Sequence, residues 1–130
     1  MASIFTKIVS GELPCHRVWE DEDHLAFLDI RPTQPGHTLV IPKREVDYLF
    51  DLSPEEHAAL WSAAQTVATR LKERTGCKRV CVLVIGWEVP HVHIHLIPTN
   101  QLGDVGMPPP IDMSGEELAA MAARLRDDPS

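Results

Sequence analysis

The apolar residues change period several times along the chain, and each change marks an element. Ser3 stands where a helix cap belongs, and Ile4, Phe5 and Ile8 share one face of a short helix ending near Gly11. Arg17–Glu20 and Leu25–Ile30 read as strands on either side of the turn-like run Asp21–His24. Pro32, Pro35 and Gly36 make Arg31–Gly36 a loop, and the β-branched and aliphatic run Thr38–Ile41 predicts a third strand. Ser53-Pro54-Glu55-Glu56 is a capping box with proline at the first helical position. The helix it opens runs to about Thr75, where Gly76 stops it, with Leu60, Ala64, Val67 and Leu71 along one side. Val80–Ile85 is a continuous apolar run, the pattern of a buried strand. After Gly86–Pro90, the run His91–Ile97 predicts the last strand, closed by Pro98. Gly103–Pro110 is irregular, and Ser114 with Glu117 forms a second capping box for a helix to about Arg126. This order of elements predicts an α+β fold, one antiparallel sheet with the long helix packed on it.

A chain of 130 residues is the size of one domain, 1–130. Its 44% hydrophobic and 24% charged residues are those of a folded globular protein. The formal net charge of −7 argues against binding nucleic-acid polymers, while a small anion can still meet a local site of opposite sign. No apolar run approaches the roughly 20 residues of a membrane span, and the N-terminus has no apolar core of a secretory leader. Cys15, Cys77 and Cys81 are odd in number and lack metal-binding spacing, so they read as reduced thiols of a cytoplasmic protein.

The seven histidines carry the most information. In His91-Val92-His93-Ile94-His95 the alternation puts all three imidazoles on one strand face and the aliphatic residues on the other. Such a ridge can be a solvated polar face. It can also bind a metal, although alternate strand residues about 6.6 Å apart bring two rings to one ion, hardly three. Or it can supply a nucleophile: a neutral imidazole attacks through one nitrogen while the other keeps its hydrogen and donates it to an acceptor.

The pattern His-φ-His-φ-His-φ-φ, with φ apolar, is that of the histidine triad (HIT) family, and HVHIHLI at His91–Ile97 resembles it closely. PGHTLVIPK at Pro35–Lys43, SIFTKIVSGELP near the N-terminus and WEDEDHLAFLD at Trp19–Asp29 resemble further landmarks of the same family, in the same order. The likeness covers residues 3–100, with a tail and helix over 101–130, and is to the branch of nucleotide-binding phosphoramidases. It implies a five-stranded antiparallel sheet continued across a homodimer. It implies hydrolysis of purine nucleoside phosphoramidates or related nucleoside monophosphate conjugates, AMP or GMP, through a nucleotidyl-histidine intermediate, with no cofactor. By that likeness His93 is the nucleophile, His95 contacts the phosphate, and His91 and His37 hold the tautomer and orientation of His93. Ile4, Phe5, Ile8, Phe27 and Ile30 enclose the purine, and Asp29 accepts hydrogen bonds from the ribose. Taken singly, the apolar five fit a simple core and Asp29 a turn. Dinucleoside polyphosphate hydrolysis, nucleotidyl transfer, and nucleotide binding with weak catalysis are the competing readings.

Two places depart from the family pattern. Gly86-Trp87-Glu88-Val89-Pro90 is shorter than the usual Gly-rich loop, and Glu88 stands where a Ser or Thr would donate to phosphate. A carboxylate there repels phosphate, so Glu88 turns away, pairs with a cation, or meets an amine in the leaving group. Ser3 and Thr6 occupy the places of the Cys-x-x-Cys that holds structural zinc in some members, so no metal is expected. His16, His24 and His57 read as solvated, Lys43 and Arg44 as surface charges, and Trp61 and Trp87 as mild support for a dimer.

Overall fold

The protein is described by a computed structural model covering residues 2–106 and 108–126. Its elements are α1 (Ile4–Val9), β1 (Arg17–Glu20), β2 (His24–Leu28), β3 (Thr38–Pro42), α2 (Pro54–Thr75), β4 (Arg79–Leu83), β5 (Ile94–Thr99) and α3 (Gly115–Leu125). Five antiparallel strands form one sheet in the order β1-β2-β3-β5-β4, which is the α+β architecture expected.

Local chemistry fixes α2 at both ends. Ser53 Oγ accepts the Glu56 N–H, the Glu56 carboxylate accepts the Ser53 N–H, and Gly76 leaves the helix at φ +71°. The helix lays Leu60, Ala64, Val67 and Leu71 against Ala26, Val40, Val92, Ile94 and Leu96 on one sheet face. The opposite face carries Leu25, Phe27, Leu39 and Ile41 under Phe5 of α1. The register stacks these in rows across the strands, Leu25 beside Ile41, and Phe27 beside Leu39 beside His95. The alternation read from the sequence therefore holds: aliphatic residues face α2 and the histidines face α1.

Several strand boundaries differ from expectation. The last strand begins at Ile94, not His91, because the facing strand ends at Pro42, which has no N–H to extend the ladder. The Val92 N–H goes instead to the Val46 carbonyl (2.7 Å) and the His91 N–H to Val89 (2.8 Å). Pro98 lies inside β5 rather than closing it; its only ladder partner is Val80 of β4. Gly36, at φ +91°, lies against Pro98 on the other side, where a Cβ would come within 3.2 Å of the proline ring. β2 stops at Leu28 rather than Ile30, since Asp29 turns the chain by accepting the Arg31 N–H on Oδ1 (2.8 Å).

The run Val80–Ile85, read as a buried strand, is an edge strand ending at Leu83, with Val82 47% and Ile85 48% exposed. His24 is buried rather than solvated, with Nδ1 on Asp21 (3.0 Å). His57 accepts from the Trp61 indole N–H (3.1 Å), so Trp61 is engaged within its own chain. Lys43 pairs with Glu20 and Arg44 with Glu56. No helix among the described residues is long and apolar enough to cross a membrane.

Candidate active site

The triad sits beneath α1, and its hydrogen bonds decide which nitrogen of each ring carries a proton. His91 is fully buried, and its Nε2 meets the Pro42 carbonyl oxygen at 2.7 Å. A carbonyl only accepts, so Nε2 carries the hydrogen. Burial holds this ring below its ordinary pKa, opposed in part by the Pro42 bond and the charge of Glu45. The neutral ring then has a bare Nδ1, which accepts the Ser3 hydroxyl at 2.9 Å. Ser3 is itself clamped. Its N–H donates to Glu45 (2.6 Å), as does the Thr6 hydroxyl (2.6 Å), and these bonds hold the Glu45 carboxyl down to about 2. The two positions that carry zinc-binding cysteines elsewhere are thus tied to Glu45 and His91 by hydrogen bonds.

His93 Nδ1 lies 2.8 Å from the backbone carbonyl of His91. The same reasoning puts the hydrogen on Nδ1 and leaves Nε2 with its lone pair. The Phe5 ring meets the His93 ring edge-on at 5.0 Å and fixes its plane. His91 thus meets the His93 ring through its backbone oxygen rather than through its own ring.

The expectation that His37 also holds His93 is corrected by the geometry. The backbone N–H of Thr33 donates to His37 Nδ1 (3.1 Å), so the hydrogen of His37 is on Nε2, which points to His95 Nδ1 at 2.9 Å. His37 immediately precedes β3, two positions before Leu39, which pairs with His95 of β5, and this diagonal placement brings the two rings together. Because His95 accepts on Nδ1, its own hydrogen is on Nε2. Burial, with the charges of His93 and His37 next, lowers His95 to about 4. His95 is consequently a neutral donor at pH 7.

Asp29, His37 and His95 bring one donor atom each within 4.8 Å of one another, the one such group among the described residues that could hold a metal. The Thr33 N–H excludes a proton from His37 Nδ1, so a metal on Nε2 would strip the ring of its last hydrogen. The three fit a hydrogen-bond chain and do not fit a cation.

A cleft of about 430 Å³ opens beside these rings. Ile4, Phe5, Ile8, Phe27, Asp29, Ile30 and Glu88 all line it with His93 and His95, so the structure brings these sequence candidates together. Ile30 is 84% exposed and forms only its rim. Gly86 is not in the cleft. It borders a second groove of about 580 Å³ between Tyr48, Phe50 and Trp87, which His93 also touches. Sequence reasoning missed Leu13, Pro14, Cys15, Leu28, Arg31, Leu39 and Val89 in the cleft wall. Leu39 was findable, since it lies two residues from His37 on one strand face. Nothing in the sequence assigned Leu13–Cys15 to the cleft, because only the turn between α1 and β1 brings the segment there.

Comparison with known proteins gives the chain a family. Residues 10–102 match the HIT domain family. The adenosine 5'-monophosphoramidase hnt1 of Schizosaccharomyces pombe is 36% identical over 96% of this chain and 96% of its own length. The adenylylsulfatase HINT3 of Arabidopsis thaliana is 34% identical over 75% of this chain and 52% of its own. The crystal structure of a HIT family protein from Bacillus subtilis superposes with a TM-score of 0.81 at 30% identity, covering all (100%) of both chains. With the His91-His93-His95 triad on one face of its sheet and its matching domain spanning most of its length, the chain belongs to the HIT family.

Proposed function

We propose that this protein hydrolyses conjugates in which the phosphate of a purine nucleoside monophosphate, AMP or GMP, is bonded to an amine, with His93 as the nucleophile. The observation that carries this reading is the bond from His93 Nδ1 to the His91 carbonyl, which leaves Nε2 as the nitrogen available to attack on a ring that lines the cleft. Nε2 bonds to phosphorus as the P–N bond breaks, and the amine leaves with the electron pair and takes a proton from water. A second water then bonds to phosphorus and frees Nε2. His95 Nε2–H donates to a phosphate oxygen throughout, held in that tautomer by His37. Ile4, Phe5, Ile8, Phe27 and Ile30 cover the base, and Asp29 accepts from the ribose. No step calls for a metal or cofactor. The relative named as a monophosphoramidase over nearly its whole length supports the P–N linkage.

The reading includes a cytoplasmic homodimer. The free thiols of Cys15, Cys77 and Cys81 suit a reducing compartment, and the exposed edge of β4 offers a strand to a second copy. Light scattering showing a monomer would remove the dimer from it. For the chemistry, brief reaction with adenosine 5'-phosphoramidate and acid quenching is expected to give an AMP adduct on His93 by peptide mass spectrometry. His93→Ala is expected to lose about a thousandfold or more in turnover. A variant turning over at the parental rate would end the reading, and faster turnover of a diadenosine polyphosphate would replace it with that activity.

A further inference from the structure

The surroundings of His93 have an unusual sign for phosphoryl chemistry. Two cavities border its ring. The cleft is lined by the carboxylates of Asp29 and Glu88 and by one cation, Arg31. The second groove is lined by Asp47 and no basic residue. The triad adds no charge through His95, which is neutral at pH 7. Asp29 Oδ1 accepts the Arg31 backbone N–H, and its Oδ2 lies 3.6 Å from His37 Nε2. Among the described residues, no basic side chain pairs with Glu88 within ion-pair distance.

Glu88 shares the cleft lining with His93 and His95. The next residue, Val89, packs into the core under α1, and its carbonyl accepts the His91 N–H (2.8 Å). The preceding residue, Trp87, is 91% exposed and belongs to the second groove. Glu88, between them, lines the cleft with His93 and His95, while α1 and the Leu13–Cys15 segment supply apolar lining. A group departing from a phosphorus atom at His93 starts out beside this carboxylate.

We propose that Glu88 selects the leaving group, and that the substrate is a nucleoside monophosphate joined through a P–N bond to an amine that carries a second, cationic group, which pairs with Glu88. The proposal rests on the phosphoramidase reading above and narrows its substrate class. A polyphosphate or sulfate leaving group would instead place negative charge against Glu88 and Asp29, with Arg31 the one Lys or Arg in the cleft lining. A cationic amine gains both from the pairing and from the acidic surface around it.

The test uses three AMP phosphoramidates of equal chain length, ending in an ammonium, a methyl or a carboxylate group, with the whole protein. The parent is expected to prefer the ammonium substrate over the methyl one by about fivefold in kcat/KM, the preference fading in high salt. Glu88→Gln is expected to bring that ratio to near one, and Glu88→Lys to favour the carboxylate substrate. Glu88 is exposed, so both variants are expected to fold, checked by unchanged thermal unfolding. Mass detection of nucleotidyl-His93 runs alongside. An adduct that forms while the three substrates react alike in the parent, or keep the parental ratio in Glu88→Gln, overturns the Glu88 assignment alone. No adduct and no turnover of any of the three overturns the phosphoramidase reading and this proposal with it.

Discussion

His95 titrates far from its ordinary range, and replacing it should change how stability depends on pH. Its ordinary value of 6.5 falls to about 4 in the folded chain, chiefly through burial. Between those values the unfolded chain binds a proton on this ring and the folded chain does not, so stability falls as pH falls. Integrating for these two values gives a loss of about 2 kcal/mol between pH 7 and pH 5 from His95 alone. His37 and His91 are also lowered by burial and add loss of the same sign. Glu20, Glu45 and Glu56 are lowered from 4.5, and their contributions are lost only as pH falls below that ordinary value, beneath this window. His95→Asn removes the titration while leaving an amide oxygen to accept from His37. Urea unfolding of parent and variant at pH 7.0, 6.0 and 5.0 is expected to show a shallower pH slope for the variant, by about 2 kcal/mol over the range. Equal slopes would refute the linkage and, with it, the claim that His95 is a neutral donor.

The cluster of Ser3, Thr6, Glu45 and His91 already approximates a zinc site. Ser3 Oγ and Thr6 Oγ1 lie 2.9 and 3.4 Å from His91 Nδ1, near the roughly 3.4–3.8 Å edges of a tetrahedral site with thiolate and imidazole ligands. Ser3→Cys combined with Thr6→Cys is therefore expected to retain one zinc per chain after dialysis, read by elemental analysis, and a metal-free double variant would contradict this. In the core, Leu60 is completely buried between α2 and the sheet, so Leu60→Ala is expected to cost about 3 kcal/mol in urea unfolding. A loss below about 1 kcal/mol would mean that α2 packs less tightly there than its burial indicates.

Much of this molecule follows from short-range chemistry. The capping box at Ser53, the glycine stop at Gly76 and the apolar stripe of α2 depend on neighbours within a turn of helix, so the sequence alone determined them. The alternation of His91–His95 likewise determined that imidazoles and aliphatic residues part to opposite faces, because the period of an extended chain is fixed by its backbone. Strand limits were less legible, since each depends on what lies opposite: Pro42 withholding an N–H from the run before Ile94, or the absence of a second neighbour beside Val82.

The candidate site divides in the same way. Its residue types were readable, but the proton on each ring was not. That is settled by partners far along the chain: Pro42 for His91, Thr33 and His95 for His37, and Ser3, 88 positions away, for the Nδ1 of His91. Glu45 takes its place in the site only because the fold brings Ser3 and Thr6 of the α1 end against it. A sequence fixes which groups can donate or accept. Only the tertiary structure decides which of them meet, because a hydrogen bond acts within about 3 Å and chain separation says nothing about that distance.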